Sequence, residues 1–315
     1  MPDPHAPARP PLAVRLRERL FLLGQRRRLR RIAAYHQPPA DVAALVARLE
    51  AKRLVVALTA GRSGSTYLAR LLAALPDITC QHEAPPHYVY MLRLAQHRPE
   101  AARRFLLEYK LPRIAAAPTH AYAEVSHLFC KGFLEPMLEL GVVPDAITLR
   151  RPPREVAVSW LTRDAIPGRN RRGLRLHVHP GDPGVLPLPR WWTATDYQLC
   201  FWYALEIERR QRLYGERLTA LGATVVDVTA AELHDPARFL AMVTTLGLFA
   251  ADAHPGSLLA QHAQLSAARH KPNPRRPVVA PPEEEAAVWE AVSPVAPWLR
   301  DVVESRYEQG VGAPS

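Results

Sequence analysis

From Leu12 to Ile32, leucines recur among arginines at helical spacing, and Leu16, Leu20, Leu23 and Leu29 are predicted to form the apolar stripe of a basic helix. A second helix is predicted to start at Pro39–Asp41, where Val42, Leu45, Val46 and Leu49 repeat every three or four residues. The period then changes. Leu54–Thr59 (LVVALT) is a short apolar run rich in β-branched residues; the glycine-containing turn Ala60–Ser65 follows, then a helical pattern through Tyr67, Leu68, Leu71, Leu72 and Leu75. A strand is also expected from Ile78. The order of strand, turn and helix returns at Ala146–Leu149, Arg150–Arg154 and Glu155–Leu161, and a third apolar strand, Ala223–Val228, follows a long helix over Tyr197–Leu221. Strands alternating with helices imply an α/β fold, a three-layer sandwich whose central, mainly parallel sheet carries helices on both faces. Loops at the C-terminal ends of such strands form the site.

Proline and glycine crowd residues 166–190 (PGRNRRG, HPGDPGVLPLP), which are expected to form a long surface insert on the substrate side. No internal repeat or low-complexity linker divides the chain, so the organisation expected is a basic N-terminal extension over 1–38 and one catalytic domain over 39–315. Charge sharpens this picture. The net charge is +11, yet residues 1–35 alone hold nine arginines against Asp3 and Glu18. Arg150–Arg175 hold eight against Glu155 and Asp164, and Arg269, Lys271, Arg275 and Arg276 make a third cluster, so the remainder is acidic. Only four of the 41 basic residues are lysines, and part of that bias can reflect the genome. The basic helix suits an anionic membrane surface or RNA, or a few leucines docked on its own domain. Cys80, Cys130 and Cys200 lie far apart in no metal-ligand spacing. No apolar run reaches the roughly 18 residues of a membrane span and Leu20–Gly24 is short for a signal peptide, so a cytoplasmic protein is expected, with peripheral contact at the inner membrane face through the basic N-terminus.

The turn Ala60-Gly61-Arg62-Ser63-Gly64-Ser65-Thr66 lies between a strand and a helix, so its amides and the positive helix end converge as anion binding requires. A Walker A loop would place lysine directly after the last glycine; Ser65 stands there, and Arg62 is the only cation in the turn. Ordinary ATP or GTP hydrolysis is disfavoured. GRSGST after a strand resembles the 5′-phosphosulfate loop of sulfotransferases that use 3′-phosphoadenylyl sulfate (PAPS). From Arg62 to Glu83, RSGSTYLARLLAALPDITCQHE is similar without a gap to the tyrosylprotein and carbohydrate sulfotransferases. The family's second signature, a strand, an arginine and a serine eight residues on, is matched by Arg151 and Ser159. An arginine fork suits a phosphate dianion, and a serine near a helix start can donate a further hydrogen bond. Arg150, Arg151 and Arg154 packed together would also call for an anion.

The resemblance implies a P-loop-type fold and transfer of the sulfuryl group from PAPS, as co-substrate, to an acceptor hydroxyl or amine, releasing adenosine 3′,5′-bisphosphate without a metal. Gly61, Arg62, Ser63, Gly64, Ser65 and Thr66 would hold the 5′-phosphate, and Arg151 and Ser159 the 3′-phosphate. His270–Arg276 resembles the basic loop, about 266–280, that closes over the nucleotide with Lys271, Arg275 and Arg276; a solvated basic loop is the alternative. Glu83 matches the family's catalytic base, His82 competes with it, and Arg62 would act on the leaving phosphate. Glu124, Ser126 and His127, the last placed on a strand, are weaker candidates for the acceptor side. His177, His179 and Asp182 come nearest to a metal-ligand set but read as surface loop residues. The aromatic Pro85–Tyr90 and basic Arg169–Arg175 would attract an acceptor with negative neighbours, read as a carbohydrate, lipid-linked or small-molecule hydroxyl. Two alternatives stay open: a kinase or NTPase with a P-loop, and a basic nucleic-acid-binding protein, the latter disfavoured by the acidic balance outside the three clusters.

Overall fold

A computed structural model of the chain describes residues 10–250, 254–267 and 280–307. Five strands, β1 (Arg53–Thr59), β2 (Ile78–His82), β3 (Ala121–Val125), β4 (Asp145–Arg150) and β5 (Val225–Thr229), form one sheet in the order β2-β3-β1-β4-β5. All four pairings are parallel. After β1 the chain moves to the β2–β3 side, and after β4 it moves to β5 on the other side. The carboxyl ends of β1 and β4 therefore flank a topological switch point, where an open α/β sheet leaves a crevice.

Side chains of β1 alternate between two cores, which is why the strand is apolar throughout. Leu54, Val56 and Leu58 pack into one cluster with the long Asp196–Ala220 helix, through Phe201, Trp202 and Tyr203. Val55 and Ala57 pack into the other with Leu68, Leu71 and Leu72 of the Ser65–Ala73 helix and Phe239 and Val243 of the Pro236–Thr245 helix. The layers are those expected, and the long helix runs within a residue of the predicted Tyr197–Leu221. Its start is set by a capping box in which Thr195 and Gln198 exchange side-chain and backbone hydrogen bonds. Among the described residues no helix is long and apolar enough to cross a membrane.

Two expectations are corrected. Residues 166–190 are not a surface insert: Ile166, Leu174, His177, Val178, His179, Asp182 and Leu186 are buried. The Trp202 indole donates to the Leu186 carbonyl, the Leu186 amide donates to Glu206, and a Cβ on Gly173 would lie 1.7 Å from the Ile166 oxygen. Here the glycine reflects close packing. His127 is not on a strand, because β3 ends at Val125 and the chain turns through 127–133.

The Leu12–Leu29 helix is fastened to this packed segment. Glu18 lies 3.4 Å from the His179 ring, 3.2 Å from that of His97 and 3.5 Å from Arg93, whose guanidinium also grips Asp182 at 2.7 Å. The carboxylates of Glu18 and Asp182 and the ring of His179 bring their ligand atoms within 4.8 Å of one another, and Arg93 supplies a positive charge bonded to both acids. Burial pushes the Glu18 carboxyl up, but the close His179 and His97 rings and the charge of Arg93 outweigh it and hold the group well below the ordinary carboxylate range. A depressed carboxyl stabilises the fold above its unfolded pKa and loses that contribution as the pH falls through the folded value. Glu18→Gln is therefore expected to cost about 1–3 kcal/mol near neutrality and progressively less below about pH 4. Urea unfolding of both proteins across that range measures it, with faster amide exchange in residues 12–29 of the variant.

Candidate active site

The turn after β1 is wound tightly by its backbone. Gly61, Arg62 and Gly64 all have left-handed φ values, of 73°, 62° and 89°, and Gly64 sits at the N-terminus of the Ser65–Ala73 helix. No side chain caps that end, and the first amides of a helix lack intrahelical acceptors, so the N–H groups of Ser65 and Thr66 have no partner within the helix. From behind, the Tyr203 hydroxyl at 2.7 Å and the Trp160 indole at 3.3 Å both donate to the Ala60 carbonyl. A Cβ on Gly61 would meet Trp160 at 2.9 Å and His127 at 3.0 Å. Gly61→Ala is accordingly expected to destabilise the protein by about 2–4 kcal/mol, the combined cost of a left-handed alanine and an overpacked contact, read as a lowered urea midpoint.

The second predicted motif meets the first. Arg151, just past β4, donates through Nη1 to the Arg62 carbonyl, and Arg62 Nε donates to Ser159 Oγ at 3.0 Å. Ser159 lies on the Pro153–Leu161 helix that follows β4, so hydrogen bonds join three residues from the two strand ends. The neighbouring arginines do not join them. Arg150 is buried and bound to Glu208 at 2.5 Å and Asp227 at 3.1 Å, and Arg154 pairs with the buried Glu285 at 2.9 Å. Arg151 itself reaches Glu155 at 2.8 Å. The expectation that the three arginines need an external anion is corrected, because each has its own carboxylate.

Glu83 follows β2 directly and takes a left-handed φ of 53°, as Arg62 does. Such a conformation is uncommon for residues with side chains and persists where the surroundings impose it. Its carboxylate lies 3.3 Å from His127 Nε2. On the other side of that ring, Lys131 Nζ approaches Nδ1 at 2.8 Å, contacts the Leu176 carbonyl at 2.6 Å and sits 4.9 Å over the Tyr203 ring. Burial pushes the Lys131 ammonium down to about 7. Burial, then the charges of Lys131, His82 and Arg62, hold His127 well below its ordinary value, so the ring is neutral. With Nδ1 accepting from Lys131, the proton sits on Nε2 and faces Glu83. His82 lies beside the loop, its Nε2 3.4 Å from Ser65 Oγ.

A cleft of about 200 Å³ opens at Glu83, walled by His87, Tyr90, Ser126, Arg175 and Leu176 among others. The aromatic and basic segments singled out in the sequence thus meet beside the same carboxylate. Glu124 does not take part: it is buried in an ion pair with Lys110 at 3.0 Å and accepts from the Tyr122 hydroxyl at 2.9 Å. Its expected place on the acceptor side is corrected to a structural one. His177 and His179, read as surface residues, are buried against Tyr203 and Trp191 respectively. Lys271, Arg275 and Arg276 lie outside the described residues.

Sequence reasoning passed over Lys131, Tyr203 and Trp160, which brace the loop and the histidine. One signal was available. In a chain with four lysines among 41 basic residues, Lys131 keeps a compact ammonium where arginine is the rule, and it is buried. Among known proteins, no protein-family model and no curated sequence matches this chain, so its chemistry has to be read from the crevice itself.

Proposed function

We propose that the chain is a PAPS-dependent sulfotransferase acting on a hydroxyl that enters the Glu83 cleft. One observation carries the reading: Arg62 and the Arg151–Ser159 pair, from motifs 89 residues apart, meet at the switch point between β1 and β4. The residues suit a doubly phosphorylated nucleotide. The left-handed turn and helix end offer amides to the 5′-phosphosulfate, and Arg151 with Ser159 offers a fork and a hydroxyl to the 3′-phosphate. In the transfer, the acceptor oxygen bonds to sulfur as the bond from sulfur to the phosphate oxygen breaks. The acceptor proton passes to Glu83, and adenosine 3′,5′-bisphosphate leaves. Arg62 and the loop amides stabilise the negative charge that grows on the leaving phosphate. His127, its Nε2 3.3 Å from the carboxylate, walls one side of Glu83. Arg175 favours an acceptor with negative groups near its hydroxyl, on a carbohydrate, lipid-linked or small molecule. The proposed setting is the cytoplasm.

Calorimetric titration with adenosine 3′,5′-bisphosphate tests the reading. Micromolar binding, far tighter than that of adenosine 5′-phosphate, is expected. Equal affinity for the two, or metal-dependent ATP turnover indifferent to a 3′-phosphate, would replace it with a kinase or NTPase.

A further inference from the structure

The Leu12–Leu29 helix has two apolar faces, and only one of them is covered. At about 100° per residue, Glu18, Phe21 and Gln25 fall on the side turned to the body. There Phe21 and Gln25 are buried, the Gln25 amide donates to the Tyr90 carbonyl, and Glu18 joins Arg93, His97 and His179. Leu12, Leu16, Leu20 and Leu23 project from the opposite side and are 45% to 66% exposed. They are four of the nine large apolar side chains exposed among the described residues, and they form a single row. Leu29, expected in this stripe, instead packs against the core, and Leu12 extends the row at its other end. Because the inner face is held by buried polar contacts, the outer leucines cannot turn inward without releasing Glu18 and Gln25.

The charge around the row selects its partner. Arg15 and Arg19 flank one edge, Arg27 lies near its end, and all three are exposed, as are Arg30 and Arg31 just beyond. A second copy laid on this face would bring arginines against arginines. An RNA backbone would satisfy the arginines and leave the leucines in water. An anionic bilayer satisfies both, taking leucines at the depth of the acyl boundary and arginines among the headgroups. We infer that this helix docks the protein on the surface of an anionic lipid bilayer. The helix also touches the elements that line the Glu83 cleft, through Gln25 to Tyr90 and through Arg17 to the Arg169 carbonyl beside the Arg171–Leu176 helix. Docking would hold that cleft near the membrane. A lipid-linked acceptor follows from this only if the proposed function holds, whereas the docking itself does not depend on it.

Flotation of the full chain with vesicles made of equal parts phosphatidylcholine and phosphatidylglycerol tests the inference. Wild type is expected to float with these vesicles, to bind pure phosphatidylcholine poorly and to be released by salt. The triple variant L16E/L20E/L23E is expected to bind roughly 10²-fold more weakly. Arg19→Ala and Arg27→Ala are expected to weaken binding about fivefold each. The thermal midpoint and bisphosphate affinity of all variants should match wild type, since these side chains face solvent; the arginine variants keep the test open should the triple variant misfold. Wild type left in the aqueous layer, equal binding by the leucine variant, a dimer that dissociates on the leucine substitutions, or RNA binding that survives them while vesicle binding is absent would each overturn the inference.

Discussion

Replacing Arg151 with alanine is expected to weaken adenosine 3′,5′-bisphosphate binding by roughly 10²-fold or more, measured by calorimetry on a protein whose urea midpoint is nearly unchanged. A guanidinium that grips a phosphate dianion makes charge-assisted hydrogen bonds worth about 1.5–3 kcal/mol each. Arg151 also donates to the Arg62 carbonyl, so its loss slackens the turn after β1 as well as removing the proposed phosphate ligand. Arg151→Lys keeps the charge but not the fork and should recover only part of the affinity. Arg62→Ala is expected to lose a similar amount, since Arg62 also positions Ser159. The adjacent arginine supplies the contrast. Arg150→Ala leaves Glu208 buried without its cation and is expected to cost about 3–5 kcal/mol of stability. Unchanged affinity in Arg151→Ala would remove the 3′-phosphate from this position and the proposed function with it.

Glu83→Gln is expected to leave bisphosphate affinity nearly intact and to lower turnover by roughly 10²–10⁴-fold, the range for removing a positioned general base. The amide keeps the shape of the carboxylate, so the cleft should persist while its proton acceptor is lost. Sulfuryl transfer followed with a radiolabelled donor over a panel of hydroxyl acceptors gives the turnover, and titration of the same preparation gives the affinity. If Glu83→Gln retains wild-type turnover, the base is not Glu83. His82, beside Ser65, then becomes the group to replace.

The strands that carry the site could be read from the chain because their apolar runs are local signals. Leu54–Thr59 and Ala146–Leu149 are buried on both faces and end at the two arginine-bearing turns, so their sequence reports both the sheet and the crevice. β3 gives no such signal. Its residues, AYAEV, include poor strand formers, and they are held in the sheet by pairing with β1 and β2 across long stretches of chain. Residues 166–190 misled for another reason: proline and glycine report irregular backbone, and irregular backbone can be buried when side chains satisfy its polar groups, as Asp182 does for the His179 amide and Glu206 for the Leu186 amide. Lys131 and His127 are four residues apart, but the contact of Lys131 with the Leu176 carbonyl joins residues 45 apart, so no local motif announces how the lysine is held.

The place of β1 at the middle of the sheet has a consequence for synthesis. Its neighbours are β3 and β4, so this strand, with six buried residues, has neither partner when it leaves the ribosome. At about 5–20 residues per second, on the order of 5–20 s pass before the last of β4 has been translated. Through that interval LVVALT is an unpaired apolar ribbon, open to association with other chains until Arg150 has been added.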